Sequence, residues 1–445
     1  MKRITSILLA ICIGLGLLGI GAIPIGATNA VPSGFTPICT PQDLDAVRNN
    51  LEGKYILMND IDMASWGNWD PIGTDKWEAW YEDDDGWKWC HPCFTGIFDG
   101  NNYAIKNLTC INELGDAGLF AAVKEPGIVK NLRLVNVTIK STGAAGGVAG
   151  NAICGAAILN CSVSGSVTAT NSSAGGIAGS VVSGDTKGGA RIRSCHNDAR
   201  ITSTCRSAGG IIGGSSGGSD MVYANAVDAV ISRCSNSGKI TSAVRAGGIQ
   251  GGGSTTIINC YNTGTIIGSG CGATSTFLGG ISGYSCGGSV VGGCYNTGNI
   301  MGNQCNPNTA MHIGAIIGSD ARTVNANYGT STDLTACYYL RGLSVVGLLT
   351  SRDDMTGEPY APVYTDVRAL SILQMKQQHS FRGFDFENAW ELKCGRYPTL
   401  RVDTSGALTD PMPVVPPAPD PFWVDLPDWQ QWILRWLCFG WLWMR

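Results

Sequence analysis

The sequence predicts an all-β chain wound as a right-handed parallel β-helix, or β-solenoid, with a small helical N-terminal cap and a short C-terminal tail helix. Three observations lead there. A small-residue box recurs as GGVAG at Gly146, GGIAG at Gly175, GGIIG at Gly209, GGIQG at Gly247, GGISG at Gly279 and GAIIG at Gly314. A second box follows each one: NCSVSGSV from Asn160, SCHNDARI from Ser194, RCSNSGKI from Arg233, NCYNTGTI from Asn259, GCYNTGNI from Gly293 and a decayed ACYYL from Ala336. The composition, 62 Gly among 445 residues with 44% hydrophobic and 14% charged, is too apolar for disorder and too glycine-rich for ordinary helices. Copies at a spacing of roughly 26 to 43 residues form an array. Within a copy, Ile257, Ile258, Tyr261, Ile266 and Ile267 are short β-favouring runs broken by the turn residues Asn262, Thr263 and Gly264. Strands that each bury one face and arrive in repeats are satisfied by winding, each coil covering the next about 4.8 Å away.

The elements follow in chain order. Residues 1–30 open with Lys2 and Arg3, run apolar from Ile7 to Ala27 and offer small residues for cleavage after Ala30, the pattern of a signal peptide; an uncleaved anchor is the competing reading. Either way the bulk of the chain is expected outside the cytoplasm. Residues 31–93 form an N-terminal cap with an insert. Thr40 as N-cap, Pro41 at the first helical position and Gly53 as a stop give a short helix before a strand at Tyr55 to Met58. The insert DKWEAWYEDDDGWKWCHPC reads as irregular. Its Cys90 and Cys93 sit in no βαβ unit, so WCHPC is a loop feature and not a dithiol redox centre. Trp77, Trp80, Tyr81, Trp87 and Trp89, beside Asp83, Asp84 and Asp85, are the candidate ligand-binding residues: an aromatic platform with an acidic edge on which a sugar can stack. The same rings can instead pack the insert against the first coil.

Residues 94–345 hold the coils. In them Ile and Val are expected to point inward, with Gly at corners supplying positive φ and close approach, while repeated Asn and Cys stack in ladders. GGIxG followed by NCYNTGxI resembles the GLUG repeat of exported bacterial surface proteins. FTGIFDGNNYAIKNL (Phe94 to Leu108), GLF at Gly118 and GIVKNLRLVNVTI (Gly127 to Ile139) look like the leading coils of that family. FDFENAW (Phe384 to Trp390) and RYPTLR (Arg396 to Arg401) resemble its closing segment, which places a cap over the last open strand edge within residues 346–405.

The chain has 18 Cys, and removal of a leader carrying Cys12 leaves an odd number. Cys161, Cys195, Cys234, Cys260, Cys294 and Cys337 share one repeat position and are expected as inward, unbridged thiols. Cys271 and Cys305 each follow a ladder cysteine by eleven residues and are the candidate disulfide pair. No metal or other cofactor is expected: paired zinc-ligand spacing is absent, and DDDG lacks the spaced ligands of a calcium loop.

Residues 406–422 form a Pro-rich linker that holds the tail away from the solenoid, and residues 423–445 a Trp-rich tail. Trp429, Trp432 and Trp436 fall on one helical face, and with Trp441 and Trp443 they favour a membrane interface over a span, because Ile433 to Met444 is too short to cross a bilayer. A helix packed on the solenoid end is the other reading.

Net charge of −4 supplies no basic field, so no nucleic-acid partner is expected. Catalysis on a β-helix needs clustered carboxylates, or a base beside a cation or metal. From Ser141 to Asp320 there is no Glu, and Asp198 and Arg200 near His196 are the nearest approach to such a cluster. The resemblance extends to GLUG-bearing metallopeptidases, whose H-E-x-x-H is missing here. The expectation is therefore a secreted or cell-surface, adhesin-like binding or structural module without catalytic activity of its own, its partner a surface glycan or a host or neighbouring cell. The alternative is a polysaccharide lyase or glycoside hydrolase on the same fold.

Overall fold

The computed structural model describes residues 31–73, 80–83, 86–89, 92–182, 189–216, 229–269, 275–286, 289–303, 310–320, 332–343 and 367–403, with residues 411 and 413. Within them the expected all-β parallel solenoid is present. One short α-helix, Pro41–Asp45, stands among strands that stack coil on coil into four parallel sheets of 10, 15, 6 and 7 strands. The helix begins as expected: Thr40 accepts from the Asp43 amide at 3.1 Å, and the Asp43 carboxylate accepts from the Thr40 amide at 2.9 Å. The ten-stranded sheet starts at Thr36–Ile38 and Lys54–Leu57, so coil stacking extends N-terminal of residue 94.

Register explains the boxes. Ile158, Ile192, Ile231, Ile257, Val291 and Leu334 are paired rung by rung along the ten-stranded sheet, and all are buried. Val167, Ile201, Ile240, Ile266 and Ile300 form a second buried column on the fifteen-stranded sheet. Each fully buried Ile or Val contributes on the order of 2 kcal/mol, so columns of this kind supply most of the driving force.

The two ladders lie between them. The six repeat cysteines are buried as expected, with the amides of Cys195, Cys234 and Cys260 each donating to the next coil's Sγ at 3.4 Å. Asn197, Asn236, Asn262 and Asn296 are fully buried, and the Nδ2 of each of the first three donates to the Oδ1 of the next at 2.7, 2.7 and 2.9 Å. Each Asn also bonds the backbone two residues on, as in Nδ2 of Asn262 to the Gly264 carbonyl at 2.9 Å. That local bond bends the chain. Where Val163 occupies the Asn position, one unbroken strand runs Ser162–Ala169; from Asn197 onward the same rung is two short strands, His196–Asn197 and Arg200–Ser203.

The glycine boxes work differently from the expectation. Positive φ falls on the residue before each ladder cysteine, Asn160, Ser194, Arg233, Asn259, Gly293 and Ala336, and not on the box glycines. The box instead needs glycine for room: a Cβ on Gly175 would run into the Ala178 carbonyl oxygen, and one on Gly176 into the Gly210 carbonyl and the Asn197 amide.

The C-terminal segment also departs from the expected end cap. Among its described residues only Val367–Leu370 extends a solenoid sheet, pairing with Cys337–Leu340. The rest lies along the side of the coils, on the outward column Tyr261, Tyr295 and Tyr338. Tyr261 and Tyr295 stack at 5.1 Å and 3°, Trp390 stacks on Phe384 at 4.6 Å, and the Tyr295 and Tyr338 hydroxyls donate to the Pro398 and Arg382 carbonyls at 2.6 and 2.7 Å. Here the repeat's Tyr acts as a docking rail for the cap. Among the described residues no helix is long and apolar enough to cross a membrane.

Candidate functional site

The Trp/acidic insert is not irregular. Trp80–Asp83 and Gly86–Trp89 form an antiparallel hairpin that pairs with none of the four solenoid sheets. Its backbone register sets Trp80 opposite Trp89 and Glu82 opposite Trp87. Trp77, Asp84 and Asp85 of the expected platform lie outside the described residues, as do Cys271, Cys305 and the tail tryptophans 429, 432, 436, 441 and 443. Cys93 is buried, while Cys90 and His91 lie outside the described residues. Pro413 lies against Gly293, so at this point the Pro-rich linker touches the solenoid and is not held away from it.

A second polar site was only half visible in the sequence. His196 is paired with Ser235 on the next coil. Ser235 Oγ lies 2.8 Å from Nδ1, Ser237 Oγ lies 3.2 Å from Nε2, and Ser237 donates to the Asp198 carboxylate at 2.8 Å. The carboxylate can only accept, so the single Ser237 proton is committed to it. The Ser237 oxygen then accepts from Nε2–H, which leaves Nδ1 to accept from the Ser235 hydroxyl. The chain therefore runs in one direction, from Ser235 through His196 and Ser237 to Asp198, over a neutral imidazole. Burial pushes the His196 pKa below its usual value, against the opposing pull of the Asp198 charge. In a hydrolytic triad the carboxylate orients the imidazole; here it holds the hydroxyl instead. Asp198 and His196 were readable as neighbours. The missing signal was Ser235 and Ser237 at the same box positions one copy later.

Elsewhere the cap meets the solenoid over a cleft of about 600 Å³. Several of the charges at this seam are paired. Buried Arg193 and Arg233 face Asp403, Arg233 donates to the Asn388 carbonyl at 3.0 Å, and Lys393 pairs with Glu391 at 3.0 Å. The cleft is a seam that fastens the cap, since removing one member of a buried ion pair strands its partner. Among the described residues, no group of three or more His, Cys, Asp or Glu is arranged to hold a metal ion.

No family model and no curated protein matches the chain. A crystal structure described as a putative immunoglobulin A1 protease from Bacteroides ovatus matches with a TM-score of 0.51 at 18% identity, covering 83% of this chain and 93% of that one. A second, described as IgA1 protease, matches with a TM-score of 0.40 at 15% identity, over 75% of this chain and 21% of that one. The first likeness shows a shared fold. It also corrects the expectation of a chain without catalytic activity: a chain of this fold carries a protease name, so fold and missing motifs do not exclude an enzyme.

Proposed function

We propose that the chain is an exported GLUG-type solenoid, secreted or held at the cell surface, that acts as an adhesin-like binding module toward a surface glycan or a neighbouring cell. The observation that carries this reading is the division between inside and outside. The ladders and Ile columns spend the interior on stacking, whereas the Trp80–Trp89 hairpin belongs to no solenoid sheet. Extra elements carried on a rigid scaffold are where binding residues concentrate. The tail tryptophans, Trp429, Trp432, Trp436, Trp441 and Trp443, supply a membrane-interface contact in this reading. A glycan array with the mature chain tests it: binding of at least one glycan class, lost in Trp80→Ala with Trp87→Ala at unchanged circular dichroism, supports the hairpin as the contact. Undiminished binding returns those rings to packing.

A second reading, hydrolysis, is favoured by the protease name of the similar structure and by the directed Ser–His–Ser–Asp chain. Incubation of the mature chain with immunoglobulin A1 and with polysaccharides, followed by mass spectrometry, tests it. Cleavage abolished by His196→Ala establishes this reading, and intact substrates exclude it for those molecules.

A further inference from the structure

The outward face of the fifteen-stranded sheet carries a pair of cations with no partner of their own. Arg200 and Lys239 are rung neighbours, since Ile201 pairs with Ile240 and the Ile201 amide donates to the Lys239 carbonyl at 2.9 Å. Both side chains are exposed, and neither makes an ion pair or side-chain hydrogen bond among the described residues. Asp198, two positions before Arg200, spends its carboxylate on the Ser237 hydroxyl. Like charges on directly opposed rungs repel, and a coil spacing of about 4.8 Å holds them together whatever their rotamers. The surroundings are hydroxyl-rich: Ser166 precedes Arg200 in its column, and Thr202 and Thr241 form the neighbouring one.

We infer that this strip binds an acidic polysaccharide, with Arg200 and Lys239 receiving carboxylate or sulfate groups and the Ser and Thr hydroxyls meeting sugar hydroxyls. The inference rests on the surface-module reading but on a site separate from the hairpin. Two cations beside a carboxylate, on a chain of net charge −4, do not suit the dense line charge of a nucleic acid. They suit a polymer with spaced charges, and a rung repeat comparable to the length of one sugar unit lets successive residues meet successive coils.

Affinity electrophoresis and calorimetry on the full mature chain test this, with polygalacturonate as probe and dextran as the neutral control. Polygalacturonate should retard the protein and dextran should not. Arg200→Gln with Lys239→Gln should weaken binding about tenfold or more at unchanged circular dichroism, and raising salt from about 50 to about 200 mM should weaken the wild type more than the variant. Trp80→Ala with Trp87→Ala should leave this binding intact, which separates it from the hairpin's. The inference is overturned if polygalacturonate, alginate and chondroitin sulfate all fail to bind or if the double variant binds as the wild type does. It is overturned equally if single-stranded oligothymidylate binds as tightly with the same dependence on Arg200 and Lys239.

Discussion

Replacing Asn262 with Ala removes one rung of the buried amide ladder. Four hydrogen bonds go with it: from Asn236 Nδ2 at 2.7 Å, to Asn296 Oδ1 at 2.9 Å, to the Gly264 carbonyl at 2.9 Å and from the Gly264 amide at 3.0 Å. At about 1 kcal/mol each, with the buried neighbours left partly unsatisfied, the loss is about 3–5 kcal/mol. That is a large share of the ~5–15 kcal/mol that holds a typical domain together. In urea denaturation followed by circular dichroism, with a slope of about 3 kcal/mol/M, the midpoint should fall by about 1 M or slightly more. Thr263→Ala, one residue on and exposed, should stay within about 0.5 kcal/mol. Asn262→Asp keeps the shape but turns a donor into an acceptor facing Asn296 Oδ1 and the Gly264 carbonyl. Its folded pKa should therefore lie above the unfolded value of about 3.9, so this variant loses stability as pH rises above that value. A shift for Asn262→Ala no larger than for Thr263→Ala would refute the load assigned to the ladder.

Further outcomes follow from the same geometry. Trp390→Ala should cost about 3–5 kcal/mol of cap docking, read as faster proteolysis within 367–403 while the coils stay protected; equal protection of both would place the cap's anchor elsewhere. Because burial depresses the His196 pKa, its contribution to stability is present above the unfolded value of about 6.5 and is lost as pH falls through the folded one. His196→Gln should flatten that loss, and an imidazole titrating at or above 6.5 contradicts it. Exposed Cys39, Cys205 and Cys394 should alkylate in the native state, whereas Cys161, Cys195 and Cys260, whose thiols burial pushes well up, should react only after unfolding. Deleting residues 423–445 should move the mature protein from the membrane-associated to the soluble fraction, and identical fractionation of both forms removes the tail as an anchor.

Stacking was legible in the sequence because it is local and repeated: one Ile, one Cys and one Asn per copy fix which residues share a column. The capping helix was legible for the same reason, with Thr40 and Pro41 adjacent. The role of the box glycines was not, since composition cannot separate a glycine needed for positive φ from one needed to clear the Ala178 carbonyl. Contacts across coils were hidden too. Ser235 reaches His196 over 39 residues of sequence: the repeat places the two in one column, but the pattern alone does not say which of their side-chain atoms bond. The lateral cap was read as an end cap because the Tyr in NCYNTG is an ordinary β-sheet residue until Trp390 and Phe381 are seen packed against Tyr295.

The division between a structural interior and a binding exterior is tested most directly by measuring ligand affinity and unfolding midpoint side by side, for one hairpin variant and one ladder variant, with a neutral glycan that the mature chain binds independently of Arg200 and Lys239. Trp80→Ala with Trp87→Ala should abolish binding at an unchanged midpoint, and Asn262→Ala should lower the midpoint by about 1 M urea while the folded protein binds with wild-type affinity. Loss of binding in the ladder variant under folding conditions, or undiminished binding in the hairpin variant, would contradict it.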